Sequence, residues 1–106
     1  MSEIYEIQQI LGKTAGERSY AEFLRVPAMS AGIYRLSMGA ADLQKPHEED
    51  EVYFVIRGKA KIQIESRHRD VSEGLVIFVE ARADHRFYDI EQELVLLVIF
   101  APAESS

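Results

Sequence analysis

The stretch KPHEEDEVYFVIRGKAKIQI, residues 45–64, decides how this chain is read. After Gly58, the residues Ala60, Ile62 and Ile64 alternate with Lys61, Gln63 and Glu65. A period of two is that of a strand with one buried and one wet face. Before Gly58 stands the apolar run Val52 to Ile56, a second strand. Ahead of that run come His47 and the acids Glu48, Glu49, Asp50 and Glu51. Acids are depleted in strands. They are either a solvated approach to the strand or, for some members, inward-facing groups with a task. His47 and Glu51 share parity, so on a continuous strand both side chains enter the same space.

Working outward, the chain breaks into short β-rich segments at 20–26, 31–38, 50–57, 60–65, 74–80, 84–90 and 93–100. Turn signals separate them: Pro27, Gly39, Pro46, Gly58, and the polar runs ESRHRD and EARAD. Strands at this spacing predict an all-β sandwich or barrel. Only residues 3–11 depart from it. There Ile4, Ile7 and Leu11 fall at helical spacing and Gly12 closes a short amphipathic N-terminal helix. In the segment ELVLLVIF, 93–100, both faces are apolar, so the outer one needs cover from the helix or from a second subunit. Tyr34, Leu36 and Met38 share one face and are expected in the core or lining a pocket. His68, in ESRHRD, is expected on an exposed hairpin turn.

The 106 residues suit a single domain, 1–106. No apolar run approaches the roughly 20 residues of a membrane helix, and the N-terminal stretch is acidic where a signal peptide is basic. The expectation is a cytoplasmic protein without membrane contact. A formal net charge of −6 argues against nucleic acid as a partner. With no cysteine there is neither disulfide nor thiolate chemistry.

Two longer patterns tie the stretch to a known family. From Gly39, five residues lead to Lys45, then His47, three residues to Glu51, and six more to Gly58. Downstream, Gly74 is followed by five residues, then Glu80, Arg82, His85 and Asp89. These resemble the two motifs of the cupin superfamily, GxxxxxHxHxxxExxxxxxG and GxxxxxPxGxxHxxxN. The resemblance spans 39–89 and implies a cupin-type double-stranded β-helix, a jelly-roll barrel of the RmlC-like kind. It also implies a metal centre, with His47, Glu51 and His85 at ligand positions. Two imidazoles and a carboxylate form a set that holds a divalent transition metal, with iron, manganese, nickel and zinc all compatible. Lys45 stands at the first histidine position, and an ammonium offers no lone pair. Gln44, turned in by a bulge, or Glu49, of the same parity as Glu51, is then the candidate for a fourth ligand.

Lys45 itself is expected within ion-pair reach of Glu48, Glu49 or Glu51, or else outside the barrel with Gln44 turned in. Lys45 and Tyr53 are the candidates for acid–base work. The family implies a small-molecule ligand and a homodimer. Its members include dioxygenases and isomerases, and fold alone does not choose among them. The competing reading is a metal-free cupin that senses or binds a small ligand without catalysis.

Overall fold

The alternation after Gly58 and the apolar run before it belong to one strand. In the computed structural model, which describes residues 2–14 and 18–105, the chain runs α1 (Ile7–Leu11), β1 (Arg18–Val26), β2 (Met29–Leu36), β3 (Asp50–Ile64), β4 (Arg67–Ser72), β5 (Val76–Val79) and β6 (His85–Ala101). The expected strands 50–57 and 60–65 are joined into β3, because Gly58 is a bulge rather than a break. Its φ is 116°, and the pairing register with β6 slips on either side of it. A Cβ at this position would lie 2.4 Å from the Glu93 carbonyl oxygen, so glycine is what lets β6 pass. The expected strands 84–90 and 93–100 merge likewise into β6, with Asp89 at φ 48° inside it.

ESRHRD is less of a turn than expected. Glu65, at φ 52°, makes a tight turn with Ser66, and Arg67–Ser72 is already β4, paired with β3 from Ile64↔Arg67 to Lys59↔Ser72. Only Val71 of that strand is buried, so it carries no apolar alternation. His68 is exposed as expected, its Nδ1 2.7 Å from the Tyr88 hydroxyl.

All pairings are antiparallel, in the order β1-β2-β6-β3-β4 with β5 also on β3. The first half of β3 runs between β5 and β6, and its second half between β4 and β6. The two long strands therefore serve both layers of the jelly roll. The layers enclose a core that includes Leu36, Tyr53, Val55, Phe87, Leu96 and Phe100. Met38 is not part of it. It is 72% exposed, because β2 ends at Leu36 and the chain turns away through Gly39 at φ 76°.

The helix is shorter than the sequence pattern suggests. Glu6 at its N-cap makes no side-chain capping bond, and only Ile7–Leu11 is helical. It nevertheless covers part of the outer face of β6, where Ile10 and Leu11 pack with Ile33 and Val95.

Candidate functional site

Glu51 and His85 reach the barrel interior from the starts of β3 and β6. Both are inside, 1% and 4% exposed. His47 arrives by another route. Strand β3 begins only at Asp50, so parity along a strand does not place it. The 80–83 turn does. The Arg82 N–H donates to the His47 carbonyl at 2.7 Å, while Arg82 Nε meets Glu48 Oε2 at 3.0 Å and the Ala81 N–H donates to Asp50 Oδ1 at 2.9 Å. Two of the crowded acids are thus fasteners for that turn. Arg82 adopts φ 68°, a left-handed conformation, at the position where the motif carries glycine. The result is a cluster in which one donor atom each from His47, Glu51 and His85 lies within 4.8 Å of the others.

The carboxyl group of Glu51 is the unusual member. Its Oε1 is 3.1 Å from His85 Nε2, and the Tyr53 hydroxyl is a second neighbouring donor, but neither is well aligned to the carboxyl oxygens. Buried oxygens are normally satisfied. His85 donates its Nδ1–H to the Ala83 carbonyl at 2.9 Å, so the neutral ring keeps the Nε2 lone pair turned to the cluster. Burial pulls the pKa of this imidazole down, but the adjacent Glu51 and the Ala83 carbonyl outweigh it and the net shift is upward. The Tyr53 hydroxyl sits 3.1 Å from the same Nε2. Burial first, and the charge of Glu51 second, hold Tyr53 well above its ordinary value, so it stays a neutral phenol.

Gln44 is turned in. Its Oε1 is 3.0 Å from His47 Nε2, and its amide nitrogen donates to Tyr53 Oη at 3.2 Å and to Asp42 Oδ2 at 3.3 Å. Asp42, also buried, accepts hydrogen bonds from the Tyr34 hydroxyl at 2.8 Å and the Phe87 N–H at 2.9 Å. A cavity of about 270 Å³ opens beside His47 and Gln44, lined also by Tyr20, Tyr34, Phe100 and Glu104. A larger groove of about 340 Å³ runs along β4 and β5 and includes none of the cluster residues.

With two histidines and a glutamate converging inside a jelly roll, comparison with known proteins decides the family. The Cupin domain family matches residues 32–100, well over half of the chain. The chain is a cupin. An uncharacterized protein of Streptomyces coelicolor is 43% identical over 93 residues, 88% of this cupin and 89% of that protein. Among solved structures, the Thermus thermophilus protein TT1209 superposes with a TM-score of 0.81 at 20% identity, over 96% of this chain and 99% of that one. The DMSP lyase DddQ of Ruegeria pomeroyi gives 0.75 at 16% identity, over 87% of this cupin and 53% of the lyase. At such identities the structural likeness speaks for the fold.

Not every residue singled out in the sequence joins the cluster. Lys45 is exposed and makes no ion pair among the described residues. The irregular backbone before β3 breaks the alternation that would have aimed it inward, and the second expectation, Gln44 turned in, is what the fold shows. Glu49 is not solvated but 5% exposed, and it is spent elsewhere: its Oε2 accepts from the Ser105 N–H at 3.2 Å and from the Ser105 hydroxyl at 2.7 Å. Two residues of this cupin escaped the sequence reading. Asp42 sits in the bland run GAADLQ. Glu104, whose Oε2 is 3.3 Å from His47 Nδ1, belongs to a polar end with no periodicity.

Proposed function

We propose that this cupin binds one divalent transition metal through His47, Glu51 and His85, with Gln44 Oε1 available as a fourth donor, and holds a small organic molecule in the adjoining cavity. The observation that carries this reading is Glu51: a buried carboxyl group whose neighbouring donors, His85 and Tyr53, are poorly aligned to it, clustered with two imidazoles. Such a group calls for a cation, and the donor set suits iron, manganese, nickel or zinc. The ion would supply Lewis acidity toward a carbonyl or enolate, or a place to activate dioxygen. The surrounding residues orient the organic molecule. Tyr53, kept neutral, is the hydroxyl that would donate a proton or hydrogen bond beside the centre, and Lys45 is too exposed for that task. The chemistry fits a metal-dependent dioxygenase or isomerase.

A metal-free ligand-binding or sensor cupin is the second reading. It draws on the 3.1 Å contact between His85 Nε2 and Glu51 Oε1, which a protonated ring would turn into a buried ion pair. Elemental analysis of the purified chain, before and after reconstitution with each candidate metal, separates the two. About one equivalent, lost in the His47→Ala and His85→Ala variants, is expected. Less than about a tenth of an equivalent of every metal would favour the metal-free reading.

The same reading treats residues 1–106 as one functional domain acting in the cytoplasm, and as half of a homodimer. No helix among the described residues is long and apolar enough to cross a membrane.

A further inference from the structure

We propose that Glu104 is a positioning residue: its carboxylate holds His47 in the tautomer that presents Nε2 to the metal. The inference rests on the metal reading above. It starts from the way the segment after β6 is folded back over the mouth of the barrel. The Ala103 N–H donates to the Pro27 carbonyl at 3.4 Å and the Glu104 N–H to the Ser30 hydroxyl at 2.9 Å. Arg25 Nη2 donates to the Glu104 carbonyl at 2.7 Å, and both donors of Ser105 reach Glu49. Ser30 is wholly buried and Glu49 nearly so, so the segment is fixed by anchors that cannot wander. That fixing delivers the Glu104 side chain to His47 Nδ1.

The two histidines then match. An imidazole that binds a metal through one nitrogen carries its hydrogen on the other, and the group accepting that hydrogen sets the tautomer and the ring's aim. For His85 the acceptor is the Ala83 carbonyl, on Nδ1. For His47 the candidate is Glu104, whose Oε2 lies 3.3 Å from Nδ1, a carboxylate–imidazole contact within reach of that hydrogen. Gln44 Oε1 competes for the His47 hydrogen from the other side, at 3.0 Å from Nε2. A carboxylate is the stronger acceptor, so Glu104 keeps the hydrogen on Nδ1 and the Nε2 lone pair free. Without it, the amide oxygen becomes the only acceptor and draws the hydrogen onto the nitrogen the metal needs.

The experiment uses the full chain, Co(II) as the probe, and the variants Glu104→Ala, Glu104→Gln and His47→Ala. Co(II) affinity is read by competition with a chelator, and the His47 tautomer in the metal-free chain by nitrogen-15 NMR of the imidazoles. Glu104→Ala is expected to weaken Co(II) binding about 10–100-fold and to move the His47 hydrogen from Nδ1 toward Nε2. Glu104→Gln, an uncharged acceptor, should fall between it and the natural chain. If Glu104→Ala keeps the natural affinity or the natural tautomer while His47→Ala abolishes binding, this role of Glu104 is overturned and the metal centre stands. If the natural chain binds no Co(II) and no other divalent metal, the metal centre fails and the inference goes with it.

Discussion

Glu51 poses a cost that a bound cation would offset. An acidic group buried without well-aligned donors destabilises a chain, so its neutral isostere should help the metal-free protein. Glu51→Gln is expected to raise metal-free stability by about 1–2 kcal/mol, a gain of roughly 5 °C or more in Tm for a domain this size, while metal binding is lost. Calorimetry with chelator present checks it, and a lower Tm would mean that Glu51 is already compensated. At position 45 the exposed side chain lies outside the cluster. Lys45→His should therefore leave metal affinity unchanged, and a tighter chain would show that the loop before β3 can turn this position inward. The clustering of His47, Glu51 and His85 was legible because motif spacing survives even where its local cause does not: His47 was found through a parity argument, yet a hydrogen bond from Arg82 is what places it. Asp42 and Glu104 were illegible because each acts through partners distant in sequence, Phe87 and His47.

At the scale of elements, the strands were legible and their boundaries were not. Glycine reads as a stop in a sequence, but within a paired strand a single residue at positive φ can be absorbed as a bulge, as at Gly58. The chain can test this. Gly58→Ala forces a side chain into φ 116° and against the Glu93 carbonyl, and should cost about 3 kcal/mol or more in urea unfolding. A loss under about 1 kcal/mol would mean the bulge relaxes easily. The partner strand carries a second handle. Glu93 accepts from Arg35 Nε at 2.8 Å and from Arg57 Nη2 at 3.4 Å, tying β6 to β2 and β3. The Arg35 hydrogen bond leads the causes that lower its pKa. A carboxylate depressed in the folded state stabilises above its unfolded pKa and loses that contribution as pH falls through the folded one. Glu93 is a third exposed, so screening keeps the effect small. Glu93→Gln should cost about 0.5 kcal/mol near neutral pH, and the two proteins should converge below about pH 4. A difference that persists in acid would point to packing instead of charge.

For the molecule as a whole, the sequence asked what covers the outer face of 93–100, and the answer splits along that strand. Val95 is wholly buried and packs with Ile10 and Leu11 of α1. Further along, Leu97, still packed against that cluster, and Ile99 face away from the main core and pair with Phe54 and Val52, which in turn pair with Val76 and Phe78. An apolar face thus runs across β6, β3 and β5, with Phe54, Val76 and Phe78 exposed by 40%, 68% and 61%. Soluble monomers seldom keep such a patch in water. A self-complementary face closed by a two-fold axis is the commonest cover, which puts the expected dimer contact on the part of this sheet that the helix leaves open. Light scattering at micromolar concentration should give twice the chain mass of 12.1 kDa. The double variant Phe54→Ser, Phe78→Ser should return it to a single chain without loss of fold, since both rings point outward. Added salt discriminates further. Each chain carries a net charge of −6, so screening relieves repulsion between copies while leaving apolar contact intact. The dimer should hold or tighten as salt rises, whereas a monomer at every salt concentration would show that this face stays open to water or serves a different partner.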